Sequence, residues 1–272
     1  MRNVDERIAD EAVGEWLGDG ATLEPLVTMN SSAWLVRSGP ERFVLKICAA
    51  EQEAGLQVAA WLEERGQRTG APIRMSVRGD RVVALLRYAE GRSLGRSPTD
   101  VDLIGRTLAR VHSMLMGAPV PDGLDRWPWR SVDPTVIDEP DLRAAATKAI
   151  DAANQLAPTL THGILHGDPN EFLASDGDVA LIDWGAACHG PLLYDVASAW
   201  LFSDERVVAS YARAAPISTE ELGATDVFLA YRWAVQAWYF SDRIRRGDLT
   251  GLADSTENEK GLSDARRALV GQ

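Results

Sequence analysis

The sequence predicts an α+β fold in two lobes, a small β-rich N-terminal lobe and a larger, mainly helical C-terminal one. Three observations lead there. Short apolar runs separated by turn residues crowd residues 1–89, helical periodicity dominates beyond them, and strand-like runs return only around 164–182. The change of character falls at Ala89–Gly91, so residues 1–89 and 90–272 are read as the two units.

Residues 5–17 place Ile8, Val13, Trp16 and Leu17 at helical spacing. Two strand-like runs follow, Leu26–Met29 and Ala33–Arg37, parted by Asn30-Ser31-Ser32. A turn at Ser38-Gly39-Pro40 leads into Arg42–Cys48, rich in Phe, Val, Leu and Ile. Residues 49–65 return to helical spacing, with Leu56, Ala59, Ala60 and Leu62 among the apolar positions. Ile73–Val77 and Arg81–Tyr88 then flank Arg78-Gly79-Asp80, a hairpin signal. Beyond Glu90-Gly91 a helix starts at Pro98-Thr99-Asp100 and runs through His112. Residues 116–140 hold five prolines and read as an excursion. Helices are expected over 141–156, 192–202, 205–213, 224–246 and 257–270.

A hydrophobic fraction of 46% over 272 residues permits a sizeable core. Forty Asp and Glu against 28 Lys and Arg give a formal net charge of −12. Such a field repels nucleic acid and anionic membranes, favours cationic partners, and in any case keeps a protein dissolved. The two cysteines, Cys48 and Cys188, match no metal spacing. Residues 1–20 are acidic without the apolar stretch of a signal peptide, and no apolar run is long enough for a bilayer. A cytoplasmic protein is expected, with neither a membrane nor nucleic acid as partner.

Residues 164–185 carry the chemistry. Ile164-Leu165 is a short strand ending in His166-Gly167-Asp168, and Phe172–Ala174 with Val179–Ile182 form a hairpin that ends in Asp183. Folding that hairpin back brings Asp168 and Asp183 to one edge. Phosphoryl transfer needs such a pair, one carboxylate for the acceptor hydroxyl and one for the metal that bridges nucleotide phosphates. Asp176 and Asp178 are read as turn residues.

His166-Gly167-Asp168 followed by Ile182-Asp183-Trp184-Gly185 resembles the catalytic loop and metal-binding segment of the aminoglycoside phosphotransferase and choline kinase superfamily. Gly190-Pro191-Leu192-Leu193-Tyr194-Asp195-Val196-Ala197 is similar to that family's next segment, whose Asp is structural. The resemblance implies a protein-kinase-like fold, with Asp168 as catalytic base, Asp183 as Mg2+ ligand and His166 as a brace. It also implies an Asn five residues after the base, where this chain has Leu173. The loop is two residues shorter, so Asn170 or Glu171 takes the second metal position, Asn170 being favoured, or none does. The last case would make the chain a non-catalytic nucleotide-binding module.

Upstream, Lys46 stands among strand apolars and must reach solvent or an anion. An edge-strand lysine that discourages aggregation would look the same. Arg42–Ile47 resembles the third strand of the kinase fold, which makes Lys46 a phosphate contact, and Glu53 is chosen as its helical partner. By the same resemblance Ser31 and Ser32 lie in the turn over the phosphates. Leu86, Arg87 and Ala89 form the hinge against adenine, the last two through main-chain groups and Leu86 behind the base. The acceptor is expected against C-terminal helices, where residues 231–240 are aromatic-rich and Trp200, Asp204, Asp242 and Glu257 offer contacts. The expected activity is ATP- and Mg2+-dependent transfer of the γ-phosphate to a hydroxyl of a small, preferably cationic, antibiotic or metabolite.

Overall fold

In the computed structural model, which describes residues 4–29, 31–127 and 132–271, the turn-punctuated runs near the N-terminus close into one antiparallel sheet. Its strands are β1 (Thr22–Leu26), β2 (Ser32–Ser38), β3 (Glu41–Ala49), β4 (Pro72–Arg78) and β5 (Arg81–Arg87), in the order β1-β2-β3-β5-β4. Two-residue turns set the register: Ser38 pairs with Glu41 and Arg78 with Arg81, with Gly39 and Gly79 at φ of +57° and +67°. β1 lies upstream of the expected Leu26–Met29 run. Its pairing with β2 ends at Leu26↔Ala33, so Val27 to Met29 project into the loop at the tip. Asn30 lies outside the described residues.

Alternation divides the sheet into two apolar faces. Val36, Leu45, Ile47, Val83 and Leu85 pack beneath Ala9, Ala12 and Val13 of α1 (Val4–Leu17). Cys48, Val82 and Ala84 pack on Leu56 of α2 (Glu53–Glu63). Lys46 belongs to this second face, two residues from Cys48, and so points toward the cleft. α2 begins four residues later than the helical spacing suggested, because Ala50–Gln52 form a 3-10 turn.

The chain leaves the sheet through residues 88–91 and adds the short β6 (Arg92–Ser93) to the hairpin β8 (Phe172–Ser175) and β9 (Asp178–Leu181). β7 (His162–Leu165) pairs with β10 (Cys188–Pro191). Around these strands stand α3 (Pro98–Leu115), α4 (Pro140–Leu156), α5 (Leu193–Phe202), α6 (Arg206–Ala212), α7 (Thr219–Leu222), α8 (Thr225–Arg246) and α9 (Thr256–Val270). This is the α+β architecture expected, a β-sheet lobe beside a helical one. α3 and α6 approach until a Cβ on Gly105 would lie 2.6 Å from Ser210 Cβ. The largest core joins Leu108 and Val111 of α3 to Leu181 of β9, Trp184, Tyr194 of α5 and Phe228 of α8. In the expected excursion, Arg126 bridges to His189 and Pro134–Val136 make a 3-10 turn, while 128–131 lie outside the described residues. Among the described residues no helix is long and apolar enough to cross a membrane.

The tip of the sheet also touches the helical lobe, in addition to residues 88–91 and to α2, whose Val58, Ala59 and Leu62 share the main core with Leu108 and Trp184. The buried guanidinium of Arg243 on α8 donates to Met29 O at 3.5 Å, to Thr250 O at 2.8 Å and to Asn258 Oδ1 at 3.0 Å. Beside it Gly251, at φ +74°, lies against Thr28 so closely that a Cβ would collide with the Thr28 carbonyl oxygen.

Candidate active site

β7 delivers His166-Gly167-Asp168 into the cleft, and the buried Asp195 of α5 holds their backbone. Its Oδ2 accepts from His166 N at 2.7 Å and its Oδ1 from Gly167 N at 2.9 Å. The same carboxylate meets His112 Nε2 at 3.1 Å, and His112 Nδ1 meets the Tyr211 hydroxyl at 2.8 Å. Gly167 sits at φ +85° against Ala186, where a Cβ would strike the Ala186 carbonyl oxygen, so only glycine fits. His166 Nε2 lies 2.9 Å from Ile182 O, an acceptor, so that nitrogen carries the proton; Nδ1 then accepts from Asp168 N at 3.3 Å. The imidazole thereby ties the loop bearing Asp168 to the residue preceding Asp183, which is the brace expected of it.

Asp183 adopts a left-handed conformation, φ +66°, at the head of the 3-10 turn Trp184–Ala186, and Trp184 Nε1 anchors that turn by donating to Leu181 O at 2.8 Å. Lys46 Nζ donates to Asp183 Oδ1 at 2.7 Å. Burial pushes the Asp183 carboxyl up, but the Lys46 charge and hydrogen bond outweigh it and hold the group below the usual carboxylate range. The ionic partner of Lys46 is therefore Asp183. Glu53, expected in that role, starts α2 and accepts from Gln57 Nε2 at 3.3 Å, one turn along its own helix. The preceding residue, Gln52, is the one turned toward the lysine. A Cβ on Gly185 would collide with Gln52 Oε1 and lie 3.1 Å from Lys46 Nζ, and Gln52 Oε1 is buried without a hydrogen-bond partner among the described residues.

Asp168 Oδ1 accepts from Arg232 on α8 at 3.0 Å, while Asn170 Nδ2 reaches Oδ2 at 3.5 Å. Burial raises the Asp168 carboxyl pKa, Arg232 and His166 pull it back, and the Asp183 and Asp195 charges raise it further. Glu171 is likewise raised by burial and by the charges of Asp183 and Asp168. The charges of Asp168, Asp183 and Glu171 thus act on one another across the cleft. In the shortened loop Asn170 leans on Asp168, and Glu171 O accepts from Ile182 N at 3.1 Å.

The tip of the β1–β2 hairpin lies beside this group, since Ala33 pairs with Lys46 across β2 and β3. Ser31 O accepts from the Thr28 hydroxyl, closing the turn. Ser32 Oγ donates to Asp5 Oδ2 at 2.6 Å, which ties its side chain to α1. Leu86 packs against Cys48, Val82 and Ala84. Arg87 N donates to Ala71 O at 3.0 Å, so the amide of that hinge residue is engaged within the sheet lobe.

The distal acceptor candidates do not converge on Asp168. Asp204 pairs with Arg206, Asp242 with Arg245 and Arg246, and Glu257 with Lys260, while Trp200 and Trp233 pack on apolar clusters. Arg232 and Gln52 were missed. Arg232 had a signal, a lone charge among the aromatic residues of 231–240; Gln52 had none.

Residues 23–224 match the family described as the phosphotransferase enzyme family. A homoserine kinase of Bradyrhizobium sp. is 30% identical over 202 residues, 62% of this chain and 62% of that protein. The matched region spans 57–62% of the length of the curated relatives. Among solved structures, an amicoumacin kinase bound to AMP-PNP and Ca2+ superposes with a TM-score of 0.75 at 13% identity, covering 98% of this chain and 93% of the other. A microcompartment-associated aminopropanol kinase gives 0.67 at 19% identity, covering 97% and 95%. At such identities these neighbours speak for the protein-kinase-like fold.

Proposed function

The chain belongs to the phosphotransferase enzyme family, and from that premise we propose that it transfers the γ-phosphate of ATP to a hydroxyl of a small molecule. The observation that carries the reading is the gathering of Asp168, Asp183 and Lys46 from three separate segments at one cleft. Residues 1–89 would hold the nucleotide, with Lys46 at the phosphates and Leu86 behind the base, and 90–272 the acceptor. The Asp168 carboxylate orients the acceptor hydroxyl and takes its proton as that oxygen bonds to the γ-phosphorus; the bond to the bridging oxygen breaks and ADP leaves.

The donor set suits a magnesium ion. Asp183 and Glu171 offer hard carboxylate oxygens, and magnesium takes one or two carboxylates together with phosphates and waters. Among the described residues no three His, Cys, Asp or Glu side chains form a metal cage by themselves, so nucleotide phosphates and waters would have to complete the coordination. When bound, that ion neutralises charge on the phosphates. Asn170 or Glu171, the two polar residues of the shortened loop, would supply the second protein position.

The acceptor class proposed is a compact amino alcohol or hydroxylated antibiotic. The names of the relatives and the charge of −12 support it, as they support action in the cytoplasm without nucleic acid or membrane. A transfer assay with γ-labelled ATP across a library of hydroxyl compounds tests the reading. Asp168→Asn is expected to lower kcat by about 10²–10⁴-fold while nucleotide affinity stays within roughly twofold. Full turnover in that variant would overturn it.

A further inference from the structure

The best-buried cation at the cleft is a residue to which no role has been given. Arg232 is 7% exposed. Burying a guanidinium is costly unless charge and hydrogen bonds compensate, and a well-packed apolar residue commonly does better for stability alone. Two of its arms are used: NH2 donates to Asp168 Oδ1 and NH1 to the Tyr194 hydroxyl, both at 3.0 Å. The rings of Tyr194 and Phe202 lie 5.3 and 5.9 Å from the guanidinium carbon. Nε is buried without a hydrogen-bond partner among the described residues. An arginine kept only to fill the core would not be expected to leave a donor stranded while reaching a carboxylate 64 positions away in sequence.

Tyr194 directly precedes Asp195. Two successive residues of α5 therefore address the same loop, Asp195 through the backbone of His166 and Gly167, and Tyr194 through the arginine that grips the Asp168 side chain. Left alone, a carboxylate turns about its χ2 and presents either oxygen, and the Asn170 amide stands near Oδ2.

Resting on the phosphotransfer reading above, we propose that Arg232 is the positioning residue of Asp168: it holds Oδ1 so that Oδ2 is presented to the acceptor hydroxyl. A paired carboxylate is a weaker base. The loose transition state of phosphoryl transfer asks more of orientation than of basicity, so the exchange favours catalysis.

The test compares Arg232→Gln, Arg232→Lys and Tyr194→Phe, each also combined with Asp168→Asn. The readouts are kcat with the acceptor found in the screen and the affinity for an ATP analogue with magnesium. Arg232→Gln is expected to lower kcat by about 10–100-fold with nucleotide affinity within roughly twofold. Arg232→Lys, which keeps one donor and the charge, should recover part of that loss. Tyr194→Phe should lower kcat by about 3–10-fold. In the Asp168→Asn background the Arg232→Gln effect should vanish, since there is no longer a base to position. Wild-type kcat in Arg232→Gln, no recovery by lysine, or a loss that persists without Asp168 would each overturn the proposal. Should Arg232→Gln not fold, full kcat in Tyr194→Phe would overturn it. Full activity in Asp168→Asn alone would instead strike the phosphotransfer reading.

Discussion

Asp195 shows how much of the site is fixed by side chains that never face it. It is fully buried and receives two backbone N–H groups and one imidazole nitrogen. Asp195→Asn keeps the volume but turns an NH2 toward groups that already donate, leaving them unsatisfied in the interior. The expected cost is about 3–5 kcal/mol, a fall in melting temperature on the order of 10 °C, with transfer activity lost as the loop loosens. A melting curve that matched the wild type would contradict this. The same scale separates what the sequence could reveal from what it could not. Asp168 and Asp183 were legible because each closes a short strand, and Lys46 because a lysine amid strand apolars calls for an anion. Its partner was chosen on the helix, yet the carboxylate that reaches it comes from the hairpin 137 positions on. Arg232 is joined to the site by α8 folding across α5, a contact no local pattern encodes.

At the level of the element, the start of α3 repays attention because the chain enters the helical lobe there. Ser97 accepts from Asp100 N at 3.2 Å, Pro98 occupies the first turn, and the Asp100 carboxylate accepts from Gly95 N at 3.0 Å and Arg92 NH1 and NH2 at 3.0 and 2.7 Å. The Arg92 hydrogen bonds, with Gly95 N, hold the Asp100 carboxyl well below the ordinary carboxylate range. A group whose folded pKa is depressed stabilises above its unfolded pKa, about 3.9 for Asp, and that contribution is lost as pH falls below it. Melting temperature against pH should therefore show Asp100→Asn less stable than wild type at pH 6, the two curves converging toward pH 2. Parallel curves would show that the clamp carries no such linkage. Hairpins were the most legible elements, since Gly39 and Gly79 mark the turns directly. β1 was displaced because an apolar run does not say where its partner strand ends, and Val27 in that run is 87% exposed.

For the whole molecule, the order of strands before helices disclosed both lobes, whereas the contact of residues 28–29 with 243–251 was invisible, being made between a loop and the end of α8 with the turn after it. It can be tested by a matched pair of substitutions. Gly251 and Gly247 have similar positive φ, +74° and +63°, but only Gly251 abuts Thr28, and nothing lies within 4 Å of a Cβ at Gly247. Both alanine variants carry the backbone strain of the left-handed region, about 1–2 kcal/mol. Gly251→Ala should lose roughly 1–3 kcal/mol more, because the loop must also give way. Equal losses in chemical denaturation would mean that the contact contributes nothing.

That contact also bears on how the lobes can move. The sheet is held to the helical base at several anchorages: the strap at 88–91, the Arg243–Met29 junction, the Lys46–Asp183 ion pair, the bond from Leu181 N to Arg68 O, and α2, whose Val58, Ala59 and Leu62 share the main core with Leu108 and Trp184. Any shift of the sheet over that base must therefore bend the chain between these anchorages rather than turn it as a free body.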